Sequence, residues 1–321
     1  MSLAGRLRLR SWIAHLGRGR AERGLCRLAL APVLGALLFL GACPSTPPRD
    51  PRVSAAQYKL GNDYFARALR AKSDDERLRY ANVALVELRK SLKADPENQE
   101  AHSLISLLYL WKAQKAIEET EVAQCLQGKE GEEYRKETDA LMRRSLVHLQ
   151  RAYSLKEEKD SRVALNLSTV SLYFKDYQAT ERFARKALGD IAYGTPHLAR
   201  SNIGRAQFER GENHKALKNL KQAVFAEPRF CPGHYWLGRV EFAANKVESA
   251  LQRFEAALAC CLKEKIAPIQ DAMLYQGLSL LRSGRKDEAT AALEACLKQA
   301  PRSCVAERCK ETLKTIKGSP R

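Results

Sequence analysis

Glycine and proline are sparse, 18 and 12 among 321 residues, too few for a collagen-like or low-complexity chain. Acidic residues are in deficit: 37 Asp and Glu face 55 Lys and Arg, leaving a net charge of +18. The signatures of several chemistries are missing. No C-x-x-C occurs, which argues against zinc ribbons and thioredoxin-type redox work. There is no H-E-x-x-H, no G-x-x-x-x-G-K-[ST] and no G-x-S-x-G, the spacings that zinc peptidases, nucleotide-binding loops and serine hydrolases need. Basic residues form no stripe interleaved with aromatics, so a nucleic-acid partner is not expected. The pattern therefore predicts a chain without catalysis, cofactor, metal or small-molecule substrate. What is present is 45% apolar and 29% charged residues, the balance of a chain that folds.

The N-terminus has a separate character. Residues 1–27 carry seven Arg against a single acid, Glu22, and an uncharged apolar run follows from Leu28 to Ala42. At about 1.5 Å per residue the run falls short of the ~30 Å of a membrane's hydrocarbon core. A basic stretch, a short apolar segment and small residues before a cut site predict a secretory signal peptide over 1–42. The order Leu40-Gly41-Ala42-Cys43 resembles the bacterial lipobox, which implies that Cys43 is lipidated and becomes the mature N-terminus. Several acyl chains, at about 0.8 kcal/mol per buried CH₂, would make that anchor stable. Residues 43–53, with Pro44, Pro47, Pro48 and Pro51, read as a linker. The residue after Cys43 is Pro, so the expected location is the outer membrane, facing the periplasm. Residues 1–42 account for +6 of the charge and leave +12 on the remainder, which suits an anionic lipid, peptidoglycan or an acidic partner.

Beyond the linker the chain repeats itself. Gly204, Gly211, Ala216, Leu220, Ala223 and Pro228 recur at the same offsets as Gly277, Gly284, Ala289, Leu293, Cys296 and Pro301, and Leu237-Gly238, Ala250, Phe254 and Ala257 share the phase. Small residues at these points allow two helices to approach, and a proline ends the second helix. The same order begins at Leu60-Gly61, Ile105-Ser106 and Leu167-Ser168. This resembles the tetratricopeptide repeat, a helix–turn–helix of 34 residues. The resemblance implies an all-α fold, an α-solenoid of about six repeats over 54–303, with insertions about 72–82 and 116–140. Residues 304–321 follow as an amphipathic capping helix and tail.

A solenoid of this kind offers one candidate surface, the inner groove built from the first helix of each repeat. By repeat phase it presents Tyr58, Asn62 and Phe65, then Leu107 and Leu110, Thr169 and Leu172, Arg205 and Phe208, and finally Tyr235, Arg239 and Phe242. Aromatic anchors beside Arg are what protein-binding surfaces favour. His102 and His234 occupy the same early repeat position, which reads as helix packing. Cysteines crowd the last third. Hairpin geometry puts Cys231 near Cys260 and Cys261, and Cys296 could meet Cys304 or Cys309, so disulfides are expected among these six.

One narrower resemblance rests on residues 166–242. There a repeat ends in a Tyr193-x-Thr195-Pro196 connector, runs into Asn202-x-Gly204-x-Ala206, and continues to Phe230-Cys231 and Leu237-Gly238. This is similar to the outer-membrane lipoproteins of type IV pilus biogenesis, the PilF/PilW/Tgl family. The resemblance implies a pilotin, which binds pilus secretin subunits and promotes their assembly. Two alternatives remain open on the residues: a scaffold of another envelope assembly, such as outer-membrane protein insertion or polysaccharide export, and a peptidoglycan-associated lipoprotein.

Overall fold

The computed structural model describes residues 49–121 and 129–318. The expected signal peptide, Cys43 and the middle of the second insertion lie outside the described residues. Within them the chain forms thirteen helices and no strand: α1 (Pro51–Arg70), α2 (Asp74–Ala94), α3 (Gln99–Glu121), α4 (Lys129–Leu155), α5 (Ser161–Tyr173), α6 (Tyr177–Leu188), α7 (Pro196–Glu209), α8 (Asn213–Ala226), α9 (Cys231–Ala243), α10 (Val247–Lys263), α11 (Gln270–Arg282), α12 (Lys286–Gln299) and α13 (Cys304–Gly318). Consecutive helices pair as six antiparallel hairpins, and α13 packs on the last of them.

Local chemistry sets the boundaries. Asp50 caps α1 through the Val53 N–H, and Pro51 begins the helix where its missing N–H costs nothing. Pro51–Val53, read from sequence as linker, are therefore the first turn of α1. Ser73 caps α2 through the Glu76 N–H, and Asp74, Asp75 and Glu76 favour the positive end of that helix. The residues about 72–82 thus lengthen α2 and do not form a separate loop. In the second hairpin α3 runs to Glu121 and α4 begins at Lys129, so much of the 116–140 segment is likewise helical.

The turn inside each of the last four hairpins contains one residue with positive φ: Lys175, Gly211, Asn245 and Gly284, at 60°, 78°, 59° and 77°. Helices α2, α8 and α12 stop because Asp95, Glu227 and Ala300 precede prolines and are held extended, at φ −141°, −141° and −147°. The repeats that lack this proline end differently: α4 on Glu157 and Glu158 with positive φ, α6 on Gly189, and α10 on Glu264 before Lys265 with positive φ. The two early histidines serve the proline turns. His102 and His234 donate from Nε2 to the carbonyls of Pro96 and Pro228, at 3.0 and 2.9 Å.

The hairpins close on one recurring contact. A Cβ placed on Gly61, Gly204, Gly238 or Gly277 would stand 2.7, 2.6, 2.7 or 2.7 Å from Leu88, Leu220, Phe254 or Leu293 of the paired helix. Those four large side chains are fully buried. In repeats two and three serine takes the glycine place, and hydroxyl-to-carbonyl bonds join the paired helices at the crossing. Ser168 donates to the Thr180 carbonyl at 3.0 Å, and Ser145 donates to the Ser106 carbonyl at 3.0 Å. An even close packing results, and each hairpin then stacks on the next through buried Leu, Ala and aromatic residues.

We expect Gly204→Ala to cost about 1–3 kcal/mol by overpacking and Leu220→Ala about 2–5 kcal/mol by leaving a void. The double variant should cost clearly less than the two together, because removing the leucine frees the space the new methyl needs. Urea unfolding of the four proteins checks this, and additive costs would contradict the contact. A second expectation concerns His148, whose Nδ1 donates to Nδ1 of His102 at 2.9 Å once His102 has used its Nε2–H. Burial, then the neighbouring His102 and Arg89, push His148 down from 6.5 to about 4. The unfolded chain then takes up this proton before the folded one does. Stability should be complete above about pH 6.5 and fall toward pH 4, more steeply than in His148→Asn, as read by denaturant titrations across that range.

Candidate protein-binding groove

Curvature follows from which helices touch. The first helices of neighbouring repeats pack on one another, α1 on α3, α5 on α7, α7 on α9, α9 on α11 and α11 on α13. The second helices, α2, α4, α6, α8, α10 and α12, make no comparable contacts among themselves within the described residues. The array therefore bends with the first helices inside, and their outward stripe lines the concave face.

From α7 to α13 that face carries a ladder of guanidinium groups and rings. The Arg205 guanidinium lies 4.4 Å from the centre of the Trp236 ring. Arg239 lies 4.2 Å from the centre of Tyr275 and within 6 Å of Phe208, Tyr235 and Trp236. Arg282 covers Phe242 at 3.9 Å, and Arg308 of the capping helix reaches Tyr275 at 5.7 Å. Phe208 meets Trp236 and Phe242 meets Tyr275 edge to face, at 6.4 and 5.2 Å between centroids. Each cation sits where a ring's negative face attracts it.

Asp271 anchors the middle of the ladder. It accepts from the Tyr235 hydroxyl, from Arg239 at 3.0 Å and from Arg308 at 3.4 Å. Arg239 also donates to the Tyr235 oxygen at 2.6 Å. Burial and the adjacent Asp271 carboxylate raise the Tyr235 hydroxyl far above its ordinary value, so it remains a donor. Burial works against the charge on Arg205, whose Nε is enclosed without a hydrogen-bond partner.

The structure sorts the sequence-predicted residues. Asn62, Leu107 and Thr169 are exposed, and Tyr58, Leu110, Arg205, Phe208, Arg239 and Phe242 are half-buried. Asn202 bridges to Ser168 and Thr169 across the α5–α7 step, at 3.2 and 3.1 Å. Phe65, Leu172 and Tyr235 are buried at 7% exposure and are core residues, a correction to their assignment to the surface. Tyr235 differs from the open position by one residue, and one residue turns a helix by about 100°. Phe65 and Leu172 share the phase of Phe208 and Phe242, at the border between groove and core. Sequence reasoning missed Trp236, Asp271, Tyr275, Arg282 and Arg308. Trp236 and Tyr275 each precede their repeat's glycine by two positions, a signal that the repeat phase contained.

Two disulfides support this end of the array. Cys231 pairs with Cys260, joining the start of α9 to the end of α10, and Cys296 pairs with Cys309, joining α12 to α13. Beside the first, Arg229 grips Glu264 with two hydrogen bonds of 2.7 and 2.9 Å. Cys304 is also disulfide-bonded, while Cys261 is a buried free thiol that burial makes harder to ionise. Among the described residues no group of His, Cys, Asp or Glu is arranged to hold a metal, and no helix is long and apolar enough to cross a membrane.

Fold and face together define an all-α solenoid of tetratricopeptide repeats whose concave side is an open, side-chain-rich surface. Family models described as tetratricopeptide repeat match residues 202–265 and 271–303. Among solved structures the chain is similar to PilW, titled a widely conserved type IV pilus biogenesis factor, with TM-score 0.58, 19% identity, 82% of this chain and 100% of that one covered. It is similar to PilF of Pseudomonas aeruginosa with TM-score 0.53 and 15% identity, over 81% of this chain and 97% of that one. The Cut9 and Hcn1 hetero-tetramer of the APC/C also matches with TM-score 0.58, at 11% identity, over 82% of this chain and 46% of that one. Likeness at such identities is a likeness of fold. No curated protein sequence matches.

Asp271→Asn should destabilise the chain by about 1–3 kcal/mol, because Arg239 keeps its half-buried charge and loses its carboxylate. Urea unfolding of the variant checks this, and an unchanged midpoint would contradict the anchoring role.

Proposed function

We propose that this chain is a membrane-tethered, protein-binding scaffold that acts as a pilotin in type IV pilus secretin assembly. The observation that carries the binding role is the cation–aromatic ladder on the concave face, a set of large side chains left open where a repeat array receives its partner. Support for the narrower role comes from similarity over nearly the whole length of PilW and PilF. The connector around Tyr193, Thr195 and Pro196 adds to it, as does the lipobox-like run ending at Cys43.

On this reading the mechanism needs no bond-making step. The groove holds a segment of the secretin subunit and keeps its apolar surface from aggregating. The acyl chains on Cys43 carry the complex to the inner leaflet of the outer membrane, where subunits reach the concentration that ring assembly requires.

Deleting the gene should abolish the heat-sensitive secretin multimers seen on gels of unheated membrane extracts. The wild-type gene should restore them, and Cys43→Ala should not. Multimers that persist in the deletion strain would overturn the pilotin role.

A further inference from the structure

The charge on the concave face is unbalanced in one direction. Four guanidinium groups, Arg205, Arg239, Arg282 and Arg308, line it from α7 to α13, and the Asp271 carboxylate is paired with two of them. Arg205 and Arg282 have no ion-pair partner among the described residues, and they lie over the faces of Trp236 and Phe242. Glu209, at the end of α7, is near enough for Arg205 to feel its charge but forms no ion pair with it.

This arrangement is costly in the free protein. Arg205 is half-buried, and its enclosed Nε has no acceptor. A buried guanidinium is favourable only when an anion or a set of acceptors replaces the lost water. The rings hold Arg205 and Arg282 in position, and the terminal N–H groups of these two remain donors that a carboxylate can meet. The ring edges between the cations offer apolar anchors of the kind that extended peptides use.

We infer that the groove's occupant is an extended acidic segment of a partner protein, with Asp or Glu side chains meeting Arg205 and Arg282 and apolar side chains seated between Phe208, Trp236 and Tyr275. This rests on the groove reading given above. Adjacent first helices are about 10 Å apart, so the ladder from α7 to α13 spans roughly 30 Å and accommodates about nine residues of extended chain.

The test uses the full chain in detergent and a synthetic library of nine-residue peptides combining acidic and apolar positions. Each peptide is made twice, once with Asp and Glu and once with Asn and Gln. Fluorescence anisotropy should show the acidic members binding about tenfold or more tightly than their amide twins, with the preference shrinking as salt rises. Arg205→Gln and Arg282→Gln should each weaken the acidic peptides about five- to tenfold and leave the amide twins unchanged, while Arg302→Gln, on the exposed α12–α13 connector, should change neither. Amide twins bound as tightly as acidic ones would overturn this inference and leave the groove reading standing. A folded chain that binds no peptide of either kind would overturn both. Should an Arg variant fail to fold, the twin comparison and the salt dependence on the unaltered chain decide the matter.

Discussion

Much of this structure depends on one close approach, repeated in four of the six hairpins: a glycine in the first helix lets a large residue of the second helix rest against its backbone. Leu88, Leu220, Phe254 and Leu293 occupy that place opposite Gly61, Gly204, Gly238 and Gly277. The contact brings two helices together along one edge and so aims the opposite edge of the first helix outward. Because the same residue recurs at the same phase, the outward edges line up from hairpin to hairpin. A tight contact in the interior therefore decides what the concave surface displays. Where serine replaces glycine, hydroxyl-to-carbonyl bonds between paired helices keep the geometry.

The two ends of the array solve different problems. The first two hairpins have long helices, held by caps at Asp50 and Ser73 and by the bonded Ser54 and Ser91 pair. The ladder runs over the last three hairpins and the capping helix, and there the chain adds covalent support through Cys231–Cys260 and Cys296–Cys309. Closing a loop by a disulfide removes conformational freedom from the unfolded chain, which helps a surface that holds several positive charges close together. Stacking each guanidinium on a ring offsets part of that repulsion and keeps the cations from folding back on the protein. The proposed roles, a tether at Cys43 and a groove for an acidic segment, divide the work between the anchored end and the stapled end.

How much of this was legible beforehand depends on the distance over which each feature is encoded. Hairpins, turns and stops are local: Pro96, Pro228 and Pro301 force the preceding residue out of the helical region, and Ser73 supplies a cap. The form of the insertion about 72–82 was open, because extra residues between two motif halves can form a loop or lengthen a helix. The acidic turn Asp74-Asp75-Glu76 settles that locally, but its weight is small beside the repeat spacing. Of the three residues misplaced onto the surface, Tyr235 is a single step of about 100° from the open position, while Phe65 and Leu172 share the phase of Phe208 and Phe242 and lie on the core side of the border. Asp271 and Arg308 were beyond reach, since their role exists only when α9, α11 and α13 stand side by side.

By itself the sequence determined the repeat, the number of hairpins and the phase that sets one side of each first helix inward, because each rests on contacts within about 34 residues. Tertiary structure decided which cysteine bonds to which, since Cys260 and Cys261 are neighbours in sequence and only the packing of α10 against α9 turns one of them toward Cys231. It also decided that, among the described residues, Arg205 and Arg282 have no ion-pair partner while Arg239 and Arg308 share Asp271. Charge balance on a surface is a sum over side chains contributed by four different helices, and no segment of the chain contains that sum.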